Sequence, residues 1–355
     1  MDFMMLATEL NAIGKLIYNN LYQWVQGWAS DYAIIGAFGV TVILFSLFLR
    51  MGLLPLDIWQ KMLSRKNAKK MEIMKPELDK INKQCGENRE LLMQKQRILY
   101  KKHKYSAFSA CLPSLATMAV FIIIFSGFNS AVRHHNSLVY ENLSVRYEEV
   151  YSTEIAKSEN EKPTEEEKSA AVKAAEDAVI AAYQPERFLL TTNIFMPDTW
   201  VSPIPDIQRY QGTGIGKLGI TEVDKSDYNK VMQPIMDVYN TNEEGKKVWN
   251  GYLILPIISF ALSIISSRLI KPPEQPQMAG QTEEQLKAQR SQAKVMNYMM
   301  PVMMGAFTLF YSTAFALYMV VGNLFSTSFN LLFNVVTKRM DDKEREIMLS
   351  TTIKK

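Results

Sequence analysis

Four stretches of this chain carry no charged residue: 32–49, 105–132, 248–267 and 295–337, of 18, 28, 20 and 43 residues. Nothing else in the sequence restricts the fold as strongly. A bilayer core about 30 Å thick takes about 20 apolar helical residues to cross, and a helix satisfies its own backbone hydrogen bonds there. The last run is about twice that length, so it reads as two spans joined by a tight turn. The expected fold is an all-α integral membrane protein. It has five transmembrane helices, a cytoplasmic helical hairpin and an N-terminal interfacial amphipathic helix. The overall composition, 48% hydrophobic with a formal charge of +4, hides this segregation.

The loops give the orientation. Residues 55–108 hold 14 Lys/Arg against 6 Asp/Glu, whereas 133–250 hold 13 against 20. Short basic loops stay on the cytoplasmic side, and long ones cross regardless of charge. The expected order is therefore an external amphipathic helix (1–31), a first span (32–56), a cytoplasmic hairpin (57–104) and a second span (105–132). An extracytoplasmic loop (133–250), a third span (251–270) and a cytoplasmic loop (271–294) follow. A fourth span (295–312), a fifth (313–337) and a cytoplasmic basic tail (338–355) complete it. The N-terminus is then outside and the C-terminus inside. No cleavable signal peptide is expected, because the first 30 residues lack a basic start and a continuous apolar core.

At the N-terminus, Leu10, Ile13, Ile17, Leu21, Trp24 and Trp28 fall at helical spacing. That face suits either the membrane interface or packing against the protein's own outer loop. In 57–104, Met71, Met74, Leu78 and Ile81 share one face, and Leu91/Leu92 and Ile98/Leu99 repeat one heptad apart. Cys85-Gly86-Glu87-Asn88 supplies a turn, and Pro76 marks a kink or a helix start. The basic excess fits a topology signal facing anionic lipid, or a docking surface for an RNA-rich or acidic partner such as a ribosome. In the outer segment, Ala and Glu dominate after Pro163 and predict an exposed helix. NIFMPDTWVSPIPD (193–206) reads as a loop at the membrane surface.

Catalytic chemistry is not written in this sequence. It has no Ser/His/Asp set and no carboxylate pair in an apolar setting, and GTGIGKLG (212–219) lacks the strand and helix of a phosphate loop. Cys85 and Cys111 are the only cysteines, so neither a disulfide nor a metal cluster is expected, and His134-His135 has no partner motif.

The residue that does stand out is Arg50, with 18 uncharged residues before it and six after, up to Asp57. Those six put it about 9 Å from the inner end of the run. Depth alone leaves two readings open: snorkelling to the headgroups, or a water-filled cavity open to the cytoplasm. Ser109, Ser114, Thr117 and Ser126 on the second span make a cavity possible, as do Asn323, Ser326, Thr327, Ser328 and Asn330 on the fifth. Helix–helix hydrogen bonding is their alternative role. No Asp or Glu lies within a span, which argues against a proton-coupled transporter. Met296, Met299, Met300, Met303 and Met304 form a flexible stripe on the fourth span, suited to varied apolar partners or to ordinary packing.

In order and content these features resemble the YidC/Oxa/Alb membrane protein insertases. The resemblance rests on FLRMGLLPLDIWQKM (48–62), MKPELDKI (74–81), YKKHKYSAFSACLPSLATMAVF (100–121), NIFMPD (193–198), YMMPVMM (298–304) and FALYMVVGNLFS (315–326). It covers the whole membrane core and looks like the shorter, five-span bacterial form. It implies a bacterial plasma-membrane protein that is not an enzyme and needs no cofactor. The fold implied has a hydrophilic groove open to the cytoplasm and lipid, lined by Arg50, Thr117, Tyr318, Asn323 and Ser326. Arg50 corresponds to the family's groove arginine by its place before Leu53-Leu54-Pro55-Leu56. Its implied role is to attract acidic residues in the outer tail of a substrate. Release would run along the second and fourth spans, past Met118, Phe121, Met299, Met300, Met303 and Met304. The implied partners are nascent membrane proteins and membrane lipid, with the ribosome and Sec translocon as candidates and no DNA.

Two family motifs differ here. Thr117-Met118-Ala119 stands where Gln-Met-Pro is common, and Ser312-Thr313-Ala314 where Pro-Ala-Gly is common. No cysteine precedes Cys85, so the N-terminal lipid anchor of many such members is not expected. The other function classes left open are a small-molecule transporter and a membrane-complex assembly scaffold.

Overall fold

The computed structural model describes residues 9–29, 35–85, 88–105, 108–158, 163–221, 223–269, 302–303 and 305–353, with the backbone alone at 89, 108–115, 117, 269, 341 and 344–353. Among these residues every regular element is a helix, and extended pairing is limited to isolated bridges. Two of the helices, Ala37–Cys85 and Thr313–Met340, are long and apolar enough to cross a membrane, and Ile254–Arg268 is a shorter apolar helix. The chain leaves its helix at 311–312 and starts a new one at Thr313, inside the longest charge-free run. The expected cytoplasmic loop 271–294 and most of the fourth span lie outside the described residues.

The chain divides into two compact units. One comprises Met1–Ser46, Ile122–Ser259 and Gly305–Val321. Its N-terminal helix starts on the Asn11 side chain, which accepts from the Gly14 amide, and contains a π-helical stretch at Leu16–Tyr22. A π turn widens the helix and shifts the register of the residues after it. The buried face is therefore Leu10, Ile17, Tyr18, Tyr22, Val25 and Ala29, while Trp24 and Trp28 are exposed as an edge-on pair 5.6 Å apart. The three-and-four spacing puts both tryptophans on one face with Ile17, whereas the structure separates them from it.

The outer helix Glu165–Ala182 opens with a capping box between Thr164 and Glu167. It is not wholly exposed: Ala171, Ala175 and Val179 are buried. That stripe of small residues lets the helix pack closely on Lys225–Tyr239, which buries Tyr228, Val231, Met232, Ile235 and Met236. Beside it, Tyr140, Tyr210 and Tyr228 form an aromatic cluster with centroids 4.5–6.0 Å apart.

The segment 193–206 differs most from expectation. It is not a surface loop, since Ile194, Phe195 and Met196 are at most 1% exposed. Side chains of its own and of Asn250 replace the missing secondary structure. The Asn250 amide donates to the Asn193 and Pro197 carbonyls (3.0 and 2.8 Å), and its oxygen accepts from the Asn193 amide (2.8 Å). Buried Asp198 accepts from the backbone amides of Leu253 and Leu255 (3.1 and 2.8 Å), so it satisfies the start of the Ile254–Leu269 helix. The Met196 and Ile194 carbonyls accept from the amides of Thr313 and Ala314. This loop therefore fixes where two apolar helices begin.

His135 is also structural. It stacks on Phe195 with centroids 3.6 Å apart, and its Nδ1 lies 3.0 Å from the Tyr18 hydroxyl in hydrogen-bond contact. Burial, and secondarily the charge of His134, push it down to about 3 from the usual 6.5. Above pH 6.5 the imidazole is neutral folded or unfolded. Between about 6.5 and 3 only the unfolded chain gains the proton, so stability is lost as pH falls through that window. His135 should contribute a loss of roughly 1 kcal/mol per pH unit below 6 to the wild-type protein in detergent, and His135→Gln, which does not titrate, should give a flatter profile. Parallel thermal melts check this, and identical slopes in the two proteins would refute it.

The second unit comprises Leu47–Phe121, Phe260–Met304 and Gly322–Lys355. The 37–85 helix runs unbroken through Pro55 and Pro76, although each proline removes one backbone hydrogen bond. Pro76 is therefore not a helix start. A second helix, Arg89–Lys102, capped by the Asn88 side chain on the Leu91 amide, folds back on the first. Met71, Met74, Leu78 and Leu99 are buried together, with Ile81, Tyr100 and Tyr105 packed against them. Of each expected heptad pair, Leu92 and Leu99 are buried while Leu91 and Ile98 are exposed.

Candidate functional site

The second unit places a fixed cation between two long helices. Arg50, on the 37–85 helix, is half-buried and lies against Gly322 of the Thr313–Ile353 helix. A Cβ on residue 322 would come within 2.7 Å of the Arg50 Nη2 and 3.1 Å of its Nε. Glycine therefore lets the guanidinium sit flat against the neighbouring backbone. The Arg50 Nε is buried with no hydrogen-bond partner among the described residues. A guanidinium has five donors and stays charged, and an underpartnered one in an apolar setting is costly. Its donors match the planar geometry of a carboxylate.

Further along the same two helices lies a second cation. The Lys61 ammonium donates to the Asn330 side-chain oxygen and sits 5.0 Å from the ring centroids of both Phe329 and Phe333. Lys61 is eleven residues beyond Arg50, and its partners are seven to eleven residues beyond Gly322, so the helices run parallel, side by side. Asp57 lies between the cations and interacts electrostatically with both. The sequence alone left Arg50 without an acidic neighbour, because Asp57 served only as the end of an apolar run. The 7 and 4 residue steps from 50 to 57 to 61 are a helical repeat that puts all three on one face.

The other expected groove residues have different neighbours among the described residues. Ser326 is half-buried one turn beyond Gly322. Asn323 turns to the Ile254–Leu269 helix, where its amide donates to the Ser263 hydroxyl at 2.7 Å, and Asn330 meets Ser266 in the same way at 3.4 Å. Tyr318 belongs to the other unit, buried beside Phe128 and Phe315 (5.3 and 6.1 Å). The Thr117 backbone is helical, and its side chain lies outside the described residues. Of the expected release path, Met118 and Met303 are exposed (47% and 46%) and Phe121 is half-buried. Met299, Met300 and Met304 lie outside the described residues. Among the described residues no cluster of His, Cys, Asp and Glu could hold a metal ion, and Cys85 is a buried free thiol.

Among the described residues, helices long and apolar enough to cross a membrane, two of them with a charge held between them, fit an integral membrane protein. A family profile described as "60Kd inner membrane protein" matches residues 30–171 and 179–342. The chain belongs to that family, the YidC/Oxa/Alb family that its motifs resemble. Among curated relatives it is 30% identical over 117 residues to the membrane protein insertase YidC of Fusobacterium nucleatum, a stretch covering 33% of this chain and 55% of the relative. It is 29% identical over 112 residues to the YidC insertase of Clostridium perfringens, covering 31% and 45%. It is 30% identical over 128 residues to that of Anaeromyxobacter dehalogenans, covering 36% and 22%. The match thus spans about half of the first two relatives and a smaller part of the third.

Proposed function

We propose that this protein is a membrane protein insertase, not a bond-breaking enzyme. It receives hydrophobic segments at the cytoplasmic hairpin 57–104, holds their polar flank near Arg50 and releases them sideways into the bilayer. The observation that carries this reading is Arg50, a permanent cation on an apolar helix, set flat on Gly322 with a buried donor left over. A transiting carboxylate would complete those hydrogen bonds, and charge-assisted bonds of this kind are the strong ones. Membership of the family and the names of the relatives support the same function.

The rest of the reading follows from the charge-free runs. Five spans place the N-terminus outside and the basic tail inside a bacterial plasma membrane. Exposed Met118 and Met303, with Phe121 and the methionines at 299, 300 and 304, offer an adaptable apolar path for release. Nascent membrane proteins are the substrates, with lipid, ribosome and Sec translocon as the surroundings.

The test is reconstitution in liposomes with a purified single-span substrate. Protease-protected substrate should exceed that in empty liposomes severalfold. Protection no greater than in empty liposomes would favour an assembly scaffold, and uptake of a small solute without insertion would favour a transporter.

A further inference from the structure

Asp57 and Lys61 have no place in the function proposed above, yet both are half-buried on the face of the 37–85 helix that carries Arg50. Along that helix Asp57 stands about 10 Å from Arg50 and about 6 Å from Lys61. Lys61 is held from the other side by Asn330, Phe329 and Phe333. A lysine in an aromatic clamp is a placed charge and not a loose surface one. Asp57 interacts with both cations, and Lys61 in turn with Asp57. The three groups form a ladder of alternating sign whose sum is +1.

We propose that Asp57 is the resident counter-ion of this ladder and sets its selectivity, so that a substrate carboxylate must compete with Asp57 for Arg50 and Lys61. The inference rests on the insertase reading and names a device within it. A segment with one weakly placed acid gains little over the resident aspartate, whereas one with two acids outcompetes it. Asp57 thereby keeps the site from holding every passing carboxylate, and its charge again offsets both cations once the segment leaves.

The experiment measures insertion into proteoliposomes of two single-span probes, identical except for two aspartates or two asparagines in the translocated tail. The readout is the acidic-to-neutral ratio at low and high salt. Removing a like charge about 10 Å from the docking point should raise that ratio about tenfold for Asp57→Asn at low salt. Lys61→Gln should lower it. The charge-balanced Asp57→Asn/Lys61→Gln protein and Asp57→Glu should both stay near wild type, and salt should compress all differences. A purely structural role for these residues would move the ratio in the same direction in both single variants, or not at all, and either result overturns the proposal. If Asp57→Asn fails to fold, the balanced double variant decides: restored folding with wild-type selectivity supports the ladder, and altered selectivity rejects it. Arg50→Ala separates the two ideas. A normal ratio in that variant sinks the groove-charge reading itself, whereas a lowered ratio with a silent Asp57→Asn sinks only the role of Asp57.

Discussion

Arg50→Ala should cut insertion of a single-span substrate with an acidic outer tail about tenfold, the loss expected when one charge-assisted hydrogen-bonded contact is removed. Arg50→Lys should keep most of the activity. Lysine supplies the same charge on a flexible stem but not the planar fork, so the size of its shortfall measures how much the geometry against Gly322 adds beyond charge. A substrate with a neutral tail should lose much less than the acidic one. Protease protection in proteoliposomes reads all three numbers. Equal losses for acidic and neutral tails in Arg50→Ala would mean that the arginine supports the fold and not the substrate. Thermal melts guard against that reading independently. Removing an underpartnered half-buried charge should leave stability near wild type, because the desolvation cost of Arg50 disappears along with its contacts.

What could be read from sequence followed a physical divide. Charge-free length is a property of composition, so the helical class was legible without any contact information. Period also worked where one face of a regular helix is buried: Met71, Met74 and Leu78 lie inside as their spacing requires. It failed at 16–22, where the π-helical stretch shifts the register and turns Trp24 and Trp28 outward. The site itself was half legible. Arg50 announces itself, because a permanent charge in apolar sequence has few explanations. Gly322, which decides how the guanidinium lies, carries no signal beyond being a glycine. Asn323 and Asn330 were visible as polar residues in a span, yet only the fold says that they bind Ser263 and Ser266. The 50–57–61 spacing is present in the sequence, but a charge at the end of an apolar run marks a boundary there, and only the fold makes Asp57 a neighbour of both cations.

The segment 193–206 holds the other large effect, and here the expected change is in stability. Asn250 is fully buried and makes three hydrogen bonds to the backbone of Asn193 and Pro197. Both carbonyls also accept from backbone amides, of Met196 and Thr199, but the Asn193 amide has only the Asn250 side chain to bond among the described residues. Asn250→Ala strands the buried Asn193 amide, at about 1–3 kcal/mol, and leaves the Asn193 and Pro197 carbonyls with the Met196 and Thr199 amides alone. With the two lost carbonyl contacts the total should reach about 2–4 kcal/mol, above most single substitutions. Asn250→Asp keeps the acceptor for the Asn193 amide but loses both donors and buries a charge, so it should be no better. Asn242 makes a useful comparison. Its side chain also accepts from backbone amides, of Glu244 and Lys246, but in an exposed turn, where water can take over. Asn242→Ala should therefore cost under about 1 kcal/mol. The Asn193 and Asp198 contacts depend on the same loop, so Asn250→Ala should also expose 193–206 to limited proteolysis. That would distinguish loss of the loop from loss of one contact. Melting of the two alanine variants at the same temperature in detergent would show that the loop is held by its apolar residues Ile194, Phe195 and Met196 and not by this network.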